Sequence, residues 1–334
     1  MMLNPRMKSA LIFLLKLVVT IVPAYFVCRN IVMTPDWDVG DLYRLFSADS
    51  VLPFVLALVC LLASNFTACL QWKYLLERQG VDLTYGHLLK LYYVGLFFNN
   101  FMPGNMGGDV KKIYDIRVQG GQDTVGAGLT ATVFDRLLGL FFVTVFALAM
   151  GGLFFIHDEA QRAFMWPSVW IFLGFCILFA CLCSRRLGGF CSFLMSKFLP
   201  KSMGERVTRM FNRFQFFRSP KLWLQVTLLS TITQSLRIFV HYFCGIAVGV
   251  DLSISWYFYY IPLVAIVSAL PISIGGFGPR EFLAQSLFAK AGVASLESVV
   301  IQLLAYFVSL VLSLFGAFVF LLGGKPTAQG DQAK

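Results

Sequence analysis

Two stretches of this chain combine helix breakers with charge. The first is Asn99-Asn100-Phe101-Met102-Pro103-Gly104-Asn105-Met106-Gly107-Gly108-Asp109, followed closely by Lys111 and Lys112. The second is Pro271-Ile272-Ser273-Ile274-Gly275-Gly276-Phe277-Gly278-Pro279-Arg280-Glu281. Proline removes a backbone donor, and glycine opens left-handed dihedrals. At membrane depth such backbone survives only where protein buries it or it lines a wet cavity. The chemistry these residues could do is recognition of an anion. Gly107, Gly108 and Asp109 open a helix whose free N–H groups and dipole favour negative charge, and Lys111 and Lys112 add cations beside it. Asp109 as an N-cap would satisfy those donors internally, so both readings stay open. Gly275, Gly276 and Gly278 allow tight backbone, and Pro279 suits a first helical position. Arg280 could grip a phosphate at two points, or pair with Glu281, Asp109 or Asp135.

Further polar residues interrupt apolar runs. Arg237 and His241 lie one helical turn apart and share a face, with Gln234 one turn earlier. A charge at mid-membrane costs about 2.5–3.5 kcal/mol on insertion scales, so Arg237 should face a cavity or a partner unless it snorkels to the interface. Asp135-Arg136 either joins the same polar cavity or caps its helix. No nucleotide-binding loop, His-Glu-x-x-His pair or Gly-x-Ser-x-Gly elbow is present, so no enzyme activity is expected. Three scattered histidines make no metal cluster, and no cofactor is expected. The eight cysteines sit mostly in or beside apolar runs and read as buried or lipid-facing thiols.

The elements that must position these groups are membrane helices. Of 334 residues, 58% are hydrophobic and 13% charged, and long apolar runs recur throughout. The expected fold is all-α, one integral-membrane domain over residues 1–334. About six full spans are expected at 10–28, 51–72, 127–155, 167–184, 222–249 and 296–322. Residues 84–118 and 255–291, too polar or too broken to cross singly, read as two opposed re-entrant hairpins. Two interrupted segments in matching places point to a transporter-type site. A second topology, with 255–270 crossing fully, is kept beside this one. The net charge of +10 resides in short segments flanking apolar spans. It therefore reads as topology and lipid-surface signal rather than nucleic-acid binding. Residues 185–221 carry nine basic residues against Glu205 alone, which places them inside. Their helical periodicity predicts amphipathic helices on the inner leaflet, with apolar faces in the acyl boundary and cations at anionic headgroups. Both termini are then cytoplasmic, in the inner membrane.

Asn99-Asn100, Pro103-Gly104 and Gly108-Asp109, then Asp135-Arg136 and Gly139, then Pro271, Ser273, Gly275-Gly276, Gly278 and Arg280-Glu281 resemble the integral-membrane region of the lysylphosphatidylglycerol synthase/flippase family. The resemblance covers nearly the whole chain. It implies the translocating region without the aminoacyltransferase that bifunctional members carry, and relatives of this stand-alone kind are associated with polyprenyl-linked sugars, hopanoids or glycolipids.

The expected function is a flippase for a phosphate-containing lipid, whether anionic, aminoacylated or polyprenyl-linked. Asn99, Asn100, Asn105 and the amides near Gly107 and Gly108 would bind the headgroup, with Pro103 and Gly104 shaping the break. Lys111, Arg237 and Arg280 would neutralise phosphate, while Asp109, Asp135 and Glu281 would pair with cations. Lys112, Arg136, Gly275, Gly276 and Gly278 complete the expected site. The membrane potential or a proton would supply energy, with His241 and Glu281 as titratable candidates. A membrane enzyme acting on a lipid-linked phosphate or sugar, and a scaffold recruiting a separate lipid-modifying enzyme, are the alternatives. A homodimer is left open.

Overall fold

The computed structural model describes residues 5–32, 48–101, 107–120, 123–154, 159–184, 186–189, 201–269 and 278–322. Among them every regular element is helical. In chain order the main helices are α1 (Pro5–Val32), α2 (Val51–Arg78), α3 (Tyr85–Phe101), α4 (Gly107–Gly120), α5 (Asp123–Phe154), α6 (Glu159–Cys183), α7 (Lys201–Phe214), α8 (Pro220–Ala247), α9 (Ile254–Ala269), α10 (Pro279–Lys290) and α11 (Ser295–Leu322). Among the described residues, four stretches are long and apolar enough to cross a membrane: Val51–Arg78, Thr124–Phe154, Met165–Cys183 and Ser295–Leu322. Large apolar side chains on these helices, such as Leu52, Leu153, Trp170 and Leu321, are exposed, as a lipid-facing surface requires. The chain is thus a polytopic all-α membrane protein.

Helix ends follow local chemistry. At the end of α2, Gly80 adopts φ 81°, and Val81 N–H reaches back to the Leu76 carbonyl at 3.0 Å. At the end of α8, Gly249 takes φ 85°, and Val250 N–H bonds the Gly245 carbonyl at 2.9 Å. Both are left-handed glycine stops that satisfy the last carbonyls of a helix.

The helices α2 and α8 are antiparallel and pack along much of their length, with Ser64 near Arg237 and Gln71 near Ser230. Two apolar cores form at their opposite ends. The first gathers Trp72, Leu75, Leu88, Ile116, Phe134, Phe179, Phe214 and Phe217. The second gathers Ile238, Cys244, Tyr257, Tyr260, Phe288, Ile301 and Val308. Between them, the middles of α2, α5 and α8 carry polar residues, and this belt holds the site.

The α3–α4 pair forms a helical hairpin whose arms touch at glycines. A Cβ on Gly108 would overlap the Gly95 carbonyl, and one on Gly95 would fall 2.8 Å from Lys112 Cγ. The hairpin leans on α11, where Gly316 lies against the Tyr93 carbonyl and Tyr93 meets Phe315 edge to face. Helices α9 and α10 also pack together, and α9 lies along α5 through Phe146 and Phe258.

Of the basic segment expected at 185–221, residues 185 and 190–200 lie outside the described residues. In and just after helix α7, four apolar side chains pack on protein. Phe214 is fully buried, with its ring 5.9 Å from that of Phe134, and Phe217 stacks on Phe134 at 4.5 Å. Met210 and Phe211 pack against the same core. Protein offers this face a rigid aromatic surface, so the helix docks on the bundle.

Candidate functional site

A cavity of about 570 Å³ opens in the polar belt, lined by α2, α3, α4, α5, α8 and α9. That volume lies in the range of small-ligand sites. Five charged side chains line it: Asp109, Lys112, Asp135, Arg136 and Arg237. With His241 neutral they sum to one positive charge. Tyr92, Asn99, Thr132, Ser230, Thr233, Gln234 and His241 add polar groups, while Leu96, Leu140, Ile261 and Ala265 supply apolar wall.

One side is built by the α3–α4 hairpin. Asn99 Oδ1 accepts the Gly108 N–H at 2.8 Å, so an α3 side chain satisfies a free amide at the start of α4. Asp109, in the first turn of α4, pairs with Lys112 at 3.0 Å and accepts from Arg136 Nε at 2.5 Å. The Arg136 side chain is 43% exposed, which sets this pair at the cavity's rim. Lys112 Nζ lies 5.0 Å from the Trp72 ring and 4.9 Å from the Tyr92 ring, an aromatic cradle that holds the cation while Gly95 makes room for its stem. Trp72 Nε1 donates in turn to Thr132 Oγ1 at 3.2 Å.

The other side is the α2–α8 seam. Gln71 Nε2 donates to Asp135 Oδ1 at 2.7 Å, and Gln71 Oε1 accepts from Ser230 Oγ at 2.6 Å, so both ends of this amide are fixed. Thr67 and Thr233 share a hydroxyl contact of 2.7 Å. Arg237 Nε donates to Ser64 Oγ at 3.3 Å, and His241 Nδ1 contacts the Arg237 carbonyl at 3.1 Å. Gly139 on α5 keeps space open, since a Cβ there would sit 3.0 Å from Gln234 Nε2. Among the described residues neither Arg237 nor Asp135 has an oppositely charged side chain at ion-pair distance. Two unpaired, opposite charges thus face one cavity.

The structure sorts the sequence-predicted residues. Asn99, Asp109, Lys112, Asp135, Arg136, Arg237 and His241 line the cavity. Gly107 and Gly108 begin α4 beside it. Asn100, in the last turn of α3, is not in the lining; its Nδ2 is buried with no hydrogen-bond partner among the described residues. Lys111 is not in the lining. One residue along a helix turns a side chain about 100° away, so Lys111 leaves the cavity that Lys112 faces and pairs with Asp115. Of the two readings left open for Arg280, the structure shows the pair with Glu281. Glu281 Oε2 accepts the Gly278 N–H at 2.8 Å, and its Oε1 takes Arg280 Nε at 2.9 Å. Arg280 also stacks over the Tyr306 ring at 5.5 Å. This pair caps and anchors α10, and neither residue is in the cavity lining. Gly278, at φ 87°, opens the same helix against α1, where a Cβ would overlap the Thr20 carbonyl. Pro103, Gly104, Asn105, Gly275 and Gly276 lie outside the described residues.

Sequence reasoning missed Ser64, Gln71, Tyr92, Thr132, Ser230 and Thr233. A signal existed: Ser64, Thr67 and Gln71 fall on one helical face, as do Ser230, Thr233, Arg237 and His241. Chemically, the arrangement can hold an anion on Arg237 among buried and half-buried polar groups.

Comparison with known proteins adds one finding. A family model described as the lysylphosphatidylglycerol synthase TM region matches residues 13–316. No curated protein and no solved structure matches the chain.

Proposed function

The chain belongs to the family of the lysylphosphatidylglycerol synthase transmembrane region, and from that premise we propose that it moves a phosphate-containing lipid between the leaflets of the cytoplasmic membrane. The headgroup occupies the cavity while the acyl chains stay in the bilayer. No covalent chemistry is assigned to the site.

One observation carries this reading. Arg237 stands in the interior of α8, faces the cavity and has no carboxylate partner among the described residues. Helix α8 is about 42 Å long, and Arg237 lies about 15 Å from its end, at a depth within a hydrocarbon layer of about 30 Å. An unpaired cation there is costly, and a ligand phosphate offsets that cost through charge-assisted hydrogen bonds. Asn99 and the start of α4 meet the headgroup from one side, and Ser268 of α9 from the other. The α3–α4 and α9–α10 pairs serve as hairpins inserted from opposite faces. Their rocking about the fixed α2–α8 seam exposes the cavity to each leaflet in turn. Exposed Arg186, Arg209 and Lys221 hold the cytoplasmic side at anionic headgroups, and both termini lie on that side.

The test uses proteoliposomes containing fluorescent anionic, aminoacylated and polyprenyl-phosphate lipids, with an impermeant quencher outside. Wild-type protein should accelerate movement of one class. Arg237→Gln, which keeps size and removes charge, should slow it by about tenfold or more, the weight of one charge-assisted hydrogen bond. Equal rates for every lipid, with and without protein, would remove the flippase reading.

A further inference from the structure

Arg237 and Asp135 face the same cavity, carry opposite charges and do not pair. Asp135 is held through one oxygen only, by Gln71, and Gln71 is itself locked by Ser230. Its second oxygen has no hydrogen-bond partner among the described residues, and the side chain lines the cavity. The charged and titratable groups facing it are Lys112 and Asp109 of α4, Arg237 of α8, Tyr92 of α3 and Cys69 of α2. Lys112 is already engaged by Asp109 and two aromatic rings. Arg136 is turned to Asp109 at the rim. In the empty cavity Lys112 and Arg237 are the cations that face the Asp135 carboxylate. An anion arriving on Arg237 cancels that field and adds a like charge, and like charges sharing one site favour protonation of the carboxylate.

We propose that Asp135 is a proton-exchange site coupled to headgroup binding: an anionic headgroup on Arg237 and a proton on Asp135 occupy the cavity together and cross together. The inference rests on the flippase reading and deepens it. The balance is simple. The headgroup carries one negative charge, the proton that neutralises the Asp135 carboxylate carries one positive charge, and the two cross with no net charge and both leave on the far side. Movement then responds to a pH difference across the membrane and does no work against the electrical potential. This assigns the proton to Asp135 rather than to Glu281, whose oxygens are occupied by the Gly278 amide and Arg280. A headgroup that brings its own ammonium cancels its own charge and takes up no proton.

Two measurements on the full chain test it. In weakly buffered detergent near neutral pH, short-chain phosphatidylglycerol is added to purified protein and the pH of the solution is followed. Uptake approaching one proton per bound anion is expected for wild type, and none for Asp135→Asn. Short-chain phosphatidylcholine should release or bind none. In vesicles, transport of the anionic lipid should quicken when a pH difference drives protons in the same direction. That ratio should fall to about one in Asp135→Asn and return in Asp135→Glu. If Asp135→Asn fails to insert, the wild-type proton count and Asp135→Glu carry the test. Binding or transport without proton uptake in wild type, or equal uptake in Asp135→Asn, overturns the proton site and leaves the flippase reading standing. Absence of both binding and transport overturns both.

Discussion

At the scale of single residues, adjacent lysines separate two roles. Lys112 sits in an aromatic cradle against Asp109, lines the cavity and is 7% exposed. Lys111 points away and bonds Asp115 one turn on. Replacing Lys112 by Ala leaves Asp109 with Arg136 alone and removes a cavity cation, so transport should fall about tenfold, the scale of a lost charged hydrogen bond. Lys111→Ala loses a partly exposed i,i+4 pair worth about 0.3–0.5 kcal/mol, so transport should change less than twofold. Rates in the same vesicles decide between them. Asn99, Asp109, Asp135 and Arg237 were legible in the sequence because charge or amide groups inside apolar runs are conspicuous. Gln71, Ser64 and Ser230 were not, because small polar residues are ordinary helix-contact residues in membrane spans. Arg280 was legible as a phosphate binder or as a partner of Glu281, and only packing decided for the partner.

At the scale of elements, the ends of α2 and α8 could be read from glycine, α3 ends at Phe101 and α10 begins at Pro279, and the break residues between lie outside the described residues. What covers a helix face could not. Amphipathic periodicity in 201–214 says that one side is apolar, not whether lipid or protein lies against it. The structure sets Phe214 among Phe134, Phe217 and their neighbours. Phe214→Ala should therefore cost about 3–5 kcal/mol of stability, as for a buried ring. A thermal scan in detergent should show a clearly lower midpoint. An unchanged midpoint would return α7 to the lipid surface.

At the scale of the whole molecule, two apolar cores flank a polar belt, and α2 and α8 contribute buried residues to both. The sequence could not show this, because the belt joins residues more than 150 positions apart, such as Gln71 with Ser230. Helix α8 is 28 residues long, yet it is not among the four stretches apolar enough to span a membrane. Its Arg237 alone carries an insertion cost of about 2.5–3.5 kcal/mol. Glycosylation sites placed beyond α8 should report poor insertion of α8 alone and efficient insertion when α2 precedes it. Equal insertion in both would make the pairing irrelevant to assembly. The seam described between these helices thus has a meaning during synthesis. Ser64, Thr67 and Gln71 reach the bilayer first and wait as an internal chaperone for a latecomer that lipid alone would reject. The polar face that later serves the headgroup is first a berth for another part of the same chain.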